Sequence, residues 1–493
     1  MKAVRIIGLI LALCILATTI IACGKKETQT SESVQTEAIT EEERLPLEVE
    51  REDNGGRKFR ILLPVTNSLD YIEGIGNNDV QKSLYLADTN INEYLGINIV
   101  YTQIPGNWAN RAEFNNRLLA SAMDDSSEFD LIMAETSASY PYAMQNDLVE
   151  DITSISTIKL GNPWYLQNMV ETYGINGKLF GIRSDASLST YSSLGLIFFN
   201  TSLIEEYHME NPYKLVEENR WTAEQMFSMA LQINSSDSGE GADLTRDTFG
   251  YVGHHVASRG YMTAFNVVIT ERNPDDGNVY IKKTADEALV DRWTYLYRKF
   301  EDNSSKLIVP VAADAENGEN AFSHGRALFY NGFFSHATTF KDTEWDWGIV
   351  PVPKYDDEQD RYYTPAGTQA MMFMIMKNAY SQSLSGKMLE MKSYYNYYEA
   401  APTYYEETLG YQYGRSEDHV KMVKLIRENS TLSFMAAMCN QMDPDPWNMF
   451  QMDTYIRNGT EKKSCLGGSV TSWYQKNVGA WNNFLTSLYR SLS

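Results

Sequence analysis

Two periods of hydrophobicity alternate along the first folded stretch of the chain. Lys58 to Leu63 (KFRILL) is a short apolar and β-branched run closed by Pro64, which predicts a strand. Val80, Leu84, Ala87, Ile91 and Leu95 then recur at helical spacing until Gly96 stops them. Ile97 to Tyr101 (INIVY) predicts a second strand, residues from about 109 to 122 a polar-faced helix, and Phe129 to Met133 a third strand. Strand and helix in this alternation imply a parallel sheet with crossover helices. Such sheets take their ligands beyond the carboxyl ends of the strands.

A second set of elements follows. Gly195 to Asn200 (GLIFFN) predicts a buried strand, and a helix runs from Thr201 to about Tyr207. Thr222 stands as an N-cap with Gln225 three residues on, and Trp221 before it reads as a structural staple. Val279 to Lys282 predicts a strand after the turn at Asp275-Asp276-Gly277, and Ala285 to Glu301 a long helix. Ala321 to Asn331 goes from helix end to strand, Trp347 to Pro351 predicts a strand that passes between lobes, and Trp473 to Arg490 is the last long helix. The chain has no internal repeat.

Ahead of this body, Lys2 and Arg5 precede seventeen uncharged, mostly apolar residues, Ile6 to Ala22, which run into Cys23-Gly24-Lys25-Lys26. A membrane-spanning helix needs ~20 such residues, so the run is short for one. It resembles the lipobox of bacterial lipoproteins, which implies removal of residues 1–22 and a diacylglycerol on Cys23. Two acyl chains suffice for stable attachment to a membrane. Residues 23–56 are mostly Lys, Glu, Gln, Ser and Thr, cannot bury enough surface to offset ordering, and predict a flexible linker.

Without residues 1–22, 471 residues remain, enough for two or three domains, and the formal charge moves from -23 to -25. That excess of carboxylates argues against nucleic acid and against a polybasic grip on anionic lipid. Of four cysteines, Cys14 leaves with the signal and Cys23 carries lipid, so Cys439 and Cys465 remain in the body. A disulfide between them would close a loop of about 27 residues and contribute about 3 kcal/mol. Two buried free thiols are the alternative.

The order of segments then becomes more informative than any one of them. FDLIMAETSASYPYAMQNDLVEDIT (Phe129 to Thr153), GKLFGI (Gly177 to Ile182), GLIFFNTSLIEEY (Gly195 to Tyr207), RWTAEQM (Arg220 to Met226), AFSHGRALFYNGFF (Ala321 to Phe334) and WGIVPVPKY (Trp347 to Tyr355) resemble, in collinear order, the family 1 extracellular solute-binding proteins. The resemblance covers about Arg57 to Tyr398. It implies an α/β, two-lobed periplasmic-binding-protein-like fold, each lobe a mostly parallel sheet flanked by helices, with a hinge between lobes. One lobe would hold 57–189 plus 352–415 and the other 190–351 plus 416–493. The implied function is capture of a carbohydrate in the interlobe cleft and delivery to the permease of an ABC importer, by a monomer outside the cytoplasmic membrane.

Sugar recognition needs flat aromatic faces and fixed polar groups. The chain has 32 Tyr, 9 Trp and 19 Phe, so position must sort them. The resemblance carries the cleft onto Ala134 and Glu135, where Glu135 either accepts hydroxyl hydrogen bonds or caps the following helix. The family often has an aromatic at the place of Ala134, and Tyr140 one turn later is the substitute. Arg183 and Asp185 precede the first crossing and either read the ligand or pair with each other. Phe333 or Phe334 would supply the aromatic that the family places after Asn-Gly. Tyr362, Tyr363 and Gln369 flank the loop Pro365-Ala366-Gly367 at the lobe boundary, and Trp447 follows the rigid Asp443-Pro444-Asp445-Pro446.

Other chemistry finds less footing. No Gly-x-Ser-x-Gly, His-Glu-x-x-His or Walker A motif occurs, so no catalytic residues are nominated, although the acidic residues leave a glycoside hydrolase open as an alternative. His254-His255 are adjacent and diverge on any regular element, so no metal is expected there. Asn234, Asp237, Glu240 and Asp243 offer oxygen ligands for calcium, but their spacing departs from an EF-hand and favours a solvated loop. No cofactor is expected. A peptide receptor of the same fold, with Glu135 and Arg183 holding the two termini, is the other alternative.

Overall fold

The computed structural model describes residues 44–65, 69–71, 74–123, 128–233, 243–310, 312–410, 417–450 and 469–492. The lipobox with Cys23 and residues up to 43 lie outside them, and so does Cys465; residues 44–56, expected as flexible linker, instead pack on the body, where Val49 is buried and Glu52 N donates to Tyr94 O at 3.2 Å. Among the described residues no helix is long and apolar enough to cross a membrane.

The amino-terminal half builds the first sheet. Strand β1 (Arg57–Pro64) leads to helix α1 (Asp79–Leu95), β2 (Ile97–Ile104), α2 (Arg111–Ala122), β3 (Leu131–Glu135) and α3 (Thr136–Gln145). β1 pairs in parallel with β2 on one side and β3 on the other. The five apolar residues at helical spacing on α1 are all buried, which is why that face lies on the sheet. Asn78 caps α1 by accepting from Gln81 N at 2.8 Å, and Gly96 ends it at φ 57, a left-handed conformation that costs glycine little.

The second sheet collects β4 (Gly195–Asn200), β5 (Phe249–Gly253), β8 (Leu307–Ile308), β9 (Ala327–Phe333) and β10 (Trp347–Pro351), in the order β10-β4-β9-β5-β8. β4 runs antiparallel to both neighbours, while β5 is parallel to β8 and β9. All of GLIFFN is buried, as a central strand covered on both faces requires. Strands β6 (Thr270–Arg272) and β7 (Val279–Ile281) form a separate two-stranded ribbon. Helices α4 (Glu287–Asp302) and α5 (Ala315–Ser323) belong to this half, α4 beginning at Asp286, which accepts from Leu289 N at 2.9 Å.

Three later pieces return to the first half or to its boundary. β12 (Met371–Met374) adds antiparallel to β3, so the first sheet reads β12-β3-β1-β2. Helix α6 (Gln382–Tyr395) covers α1, where the buried ammonium of Lys392 meets Asp88 at 2.6 Å. Helix α7 (Glu417–Glu428) packs against β10 of the second sheet, whereas α8 (Phe434–Met438) packs against α3 of the first half. The closing helix α9 (Val470–Ser491) lies along α4 and β7.

Each sheet thus has one strand running against the rest, and the molecule is a two-lobed α/β protein. Trp347–Pro351, expected to pass between lobes, is instead the edge strand of the second sheet, and the crossing starts after it. Trp221 is fully buried and donates to Pro351 O at 2.8 Å, a structural anchor for that edge.

Candidate functional site

Among the described residues, three crossings between the halves are stitched to one another. The first runs from Arg183 to Leu194, the second from Val352 to Ala370, and the third passes through β13 (Ser430–Thr431). β11 (Thr364–Pro365) pairs in parallel with β13, while Leu194 bridges antiparallel to Ala366. Gly367 N donates to Ser193 O at 2.9 Å and Ala366 N to Thr431 O at 3.2 Å. A short three-stranded ribbon is therefore the waist between the sheets.

Buried polar groups fasten the ends of that ribbon. Asp70, in the loop after β1, accepts from Leu188 N at 2.7 Å and from the Ser187 hydroxyl, which holds the first crossing against the first sheet. Thr136, at the start of α3, donates from Oγ1 to Ala370 O at 2.8 Å, and Ser137 N donates to Thr368 O at 3.3 Å. Met371 N donates to Ser189 Oγ at 2.8 Å.

Above the waist, the carboxyl end of β3 presents Glu135. Its side chain does not cap α3. Burial raises its carboxyl to about 7, against the pull of a hydrogen bond from the Trp108 backbone. Trp108 itself follows β2, is 41% exposed, and carries the Arg111 guanidinium 3.8 Å from its ring centroid. Trp108 is not among the residues expected from the sequence; the signal for it is an aromatic after Pro105-Gly106-Asn107, just past a strand end.

In the second half, Phe333 ends β9 and lines a small cavity of about 30 Å³ with Val256, Pro365, Gly367, Thr431 and Ser433. A larger cavity of about 240 Å³ shares Thr263, Thr431 and Ser433 with it and extends between Glu171 of the first half and the Met262–Arg272 stretch of the second. Ser433 caps α8 by accepting from Ala436 N at 3.2 Å, so the third crossing and α8 form a wall of both cavities.

The other nominated residues are placed as follows. Tyr140 is fully buried and meets Tyr173 edge-on at 6.1 Å, so its ring is enclosed and not open at the β3 end. Arg183 and Asp185 do not pair with each other. Asp185 binds Arg427 at 3.0 Å, a partner 242 residues away, and also accepts from Tyr191 OH at 3.3 Å. Arg183 is 1% exposed and donates to Ser193 Oγ at 3.3 Å. Burial holds its guanidinium below an arginine's ordinary range, with Tyr173 opposing. Phe334 is buried against Tyr404 at 6.0 Å, leaving Phe333 as the cavity-lining member of the two. Tyr362 is buried beneath the Lys354 ammonium, 6.0 Å from its ring, and Tyr363 donates to Asp360 at 3.0 Å. The Gln369 amide lies over Gly367, 2.7 Å from where a Cβ there would stand.

Trp447 is in the turn Pro446–Phe450, and its side chain lies outside the described residues. Cys439 is buried with its thiol 3.5 Å from Ala436 O, and since Cys465 is not described their pairing stays an expectation. Of the four calcium candidates, Asn234, Asp237 and Glu240 lie outside the described residues, while Asp243 accepts from Thr245 N at 2.8 Å.

Near His254, where no metal is expected from the sequence, one ligand atom each of His254, Glu319 and His336 lie within 4.8 Å of one another. His254 and His255 do not diverge; their rings are 4.4 Å apart. Burial, then His336, His255 and Arg259, push His254 down to about 3, so its ring is neutral at pH 7.

No family model matches the sequence, and no curated protein matches it. Solved structures do. The ABC substrate-binding protein Lmo0181 from Listeria monocytogenes, in complex with cycloalternan, is 12% identical over 87% of this chain and 99% of its own, with a TM-score of 0.54. The GacH receptor of Streptomyces glaucescens, solved unliganded and with acarbose, is 11% identical over 89% of this chain and 100% of its own, at 0.52. UgpB from Mycobacterium tuberculosis, in complex with glycerophosphocholine, is 11% identical over 88% and 99%, also at 0.52. At these identities the likeness is one of fold, and the chain has the two-lobed α/β fold of the ABC-transporter solute-binding proteins.

Proposed function

We propose that the chain is a non-catalytic receptor that captures a carbohydrate between its lobes and hands it to the permease of an ABC importer, held at the outer face of the membrane by lipid on Cys23. The observation that carries this reading is the likeness over 87% to 89% of the chain to binding proteins solved with cycloalternan or acarbose. It is supported by Glu135 beside Trp108 at the carboxyl end of β3 in one half, and by Phe333 in the wall of the small cavity at the waist in the other. Ligand would favour the arrangement in which the halves close on it about the ribbon.

A thermal-shift panel of mono- and oligosaccharides, peptides and glycerophosphodiesters tests the reading. Ligand at 100 times its dissociation constant stabilises by ~2.7 kcal/mol. A shift with sugars is expected. Shifts with peptides or glycerophosphodiesters alone would replace the carbohydrate, and cleavage products in the same wells would favour the glycoside hydrolase. The peptide reading loses support from Arg183, whose enclosed guanidinium is not available to a peptide carboxylate as the chain is folded here.

A further inference from the structure

Three residues that no local pattern connects come together at the carboxyl ends of β5 and β9. His254 follows β5, Glu319 comes from α5, and His336 lies three residues after β9. Glu319 Oε1 is 3.5 Å from His336 Nε2, and the rings of His254 and His336 have centroids 5.2 Å apart. We propose that His254, His336 and Glu319 bind a zinc-class divalent cation.

Two imidazoles and a carboxylate are the donor set of open zinc sites, in which three protein ligands leave one coordination position free. The surroundings suit that role. Phe333 N donates to His336 Nδ1 at 2.9 Å in one tautomer, and in the other Nδ1 donates to Phe333 O at 3.0 Å. In the tautomer that donates to the carbonyl, the ring is held from behind and its Nε2 lone pair is left on the side of Glu319. His254 Nδ1 accepts from Val256 N at 3.3 Å and Ala257 N at 3.4 Å, bonds long enough for a metal to displace. The ring of Tyr330 meets His336 edge-on at 5.4 Å, and its buried hydroxyl has no hydrogen-bond partner among the described residues. Such an orphaned polar atom beside a ligand cluster points to a missing water or ion. Phe333, stacked on His336 with an interplanar angle of 17°, also lines the small interlobe cavity, so a bound cation would brace one wall of the cleft. The site stands whether or not that cleft takes a sugar.

The chain without residues 1–22, stripped with a chelator and titrated with zinc chloride in a calorimeter, should take up about one equivalent. Cobalt in place of zinc should give the visible absorption of a low-coordinate site. Glu319→Gln removes one ligand from a side chain that is 25% exposed, so the fold should persist while zinc affinity falls by about tenfold or more. His254→Gln, checked for folding by circular dichroism, should do the same. Uptake below about a fifth of an equivalent, or zinc affinity unchanged in both variants, overturns the site.

Discussion

Arg427 at the end of α7 and Asp185 at the start of the first crossing meet at 3.0 Å, with side chains 17% and 0% exposed. The contact joins the helix packed on β10 to the chain that leaves the first sheet. Asp185→Ala would strand the guanidinium beside Tyr191 with its carboxylate gone. Breaking a buried pair in this way costs roughly 3–5 kcal/mol. Urea denaturation should show that loss; a change under about 1 kcal/mol would mean that the pair does not hold the waist.

Glu135 should make the unliganded protein sensitive to pH. Its folded carboxyl titrates near 7, above its ordinary value of 4.5. Its contribution to stability is therefore fully present below about pH 4.5 and is lost as pH rises through about 7, by up to roughly 3 kcal/mol. Glu135→Gln should flatten that part of the stability curve and raise stability above pH 7. Parallel curves for the two proteins between pH 4.5 and 8 would remove Glu135 from the account.

Trp108 should matter to ligand and little to fold. Its indole is largely outside the core, so Trp108→Ala should change stability by no more than about 0.5 kcal/mol. Loss of a stacking face should weaken sugar binding about tenfold, ~1.4 kcal/mol. Equal affinity of wild type and variant in a fluorescence titration would show that the loop after β2 takes no part.

These residues also mark what the sequence could and could not tell. α1 was legible because Val80, Leu84, Ala87, Ile91 and Leu95 repeat over four turns and Gly96 closes them. β5 was not, since FGYVG carries two glycines, and β12 was not, since MMFM has no β-branched residue; tertiary packing makes both into strands. Glu135 is nominated through the family resemblance, which carries the cleft to the end of the third strand, and the structure puts it at the end of β3. Asp185 with Arg427, and His254 with Glu319 and His336, are contacts across long sequence separations that leave no spacing to read. Trp108 was hidden among the aromatics, which only exposure separates into core and surface.

Calorimetric titration of oligosaccharides into the chain without residues 1–22, with the sugar recovered afterwards, tests the central claim most directly. Saturable binding of one ligand per chain, weakened in Trp108→Ala and followed by recovery of the intact sugar, is the predicted result. Absence of heat with every carbohydrate, or recovery of hydrolysed sugar, would contradict it.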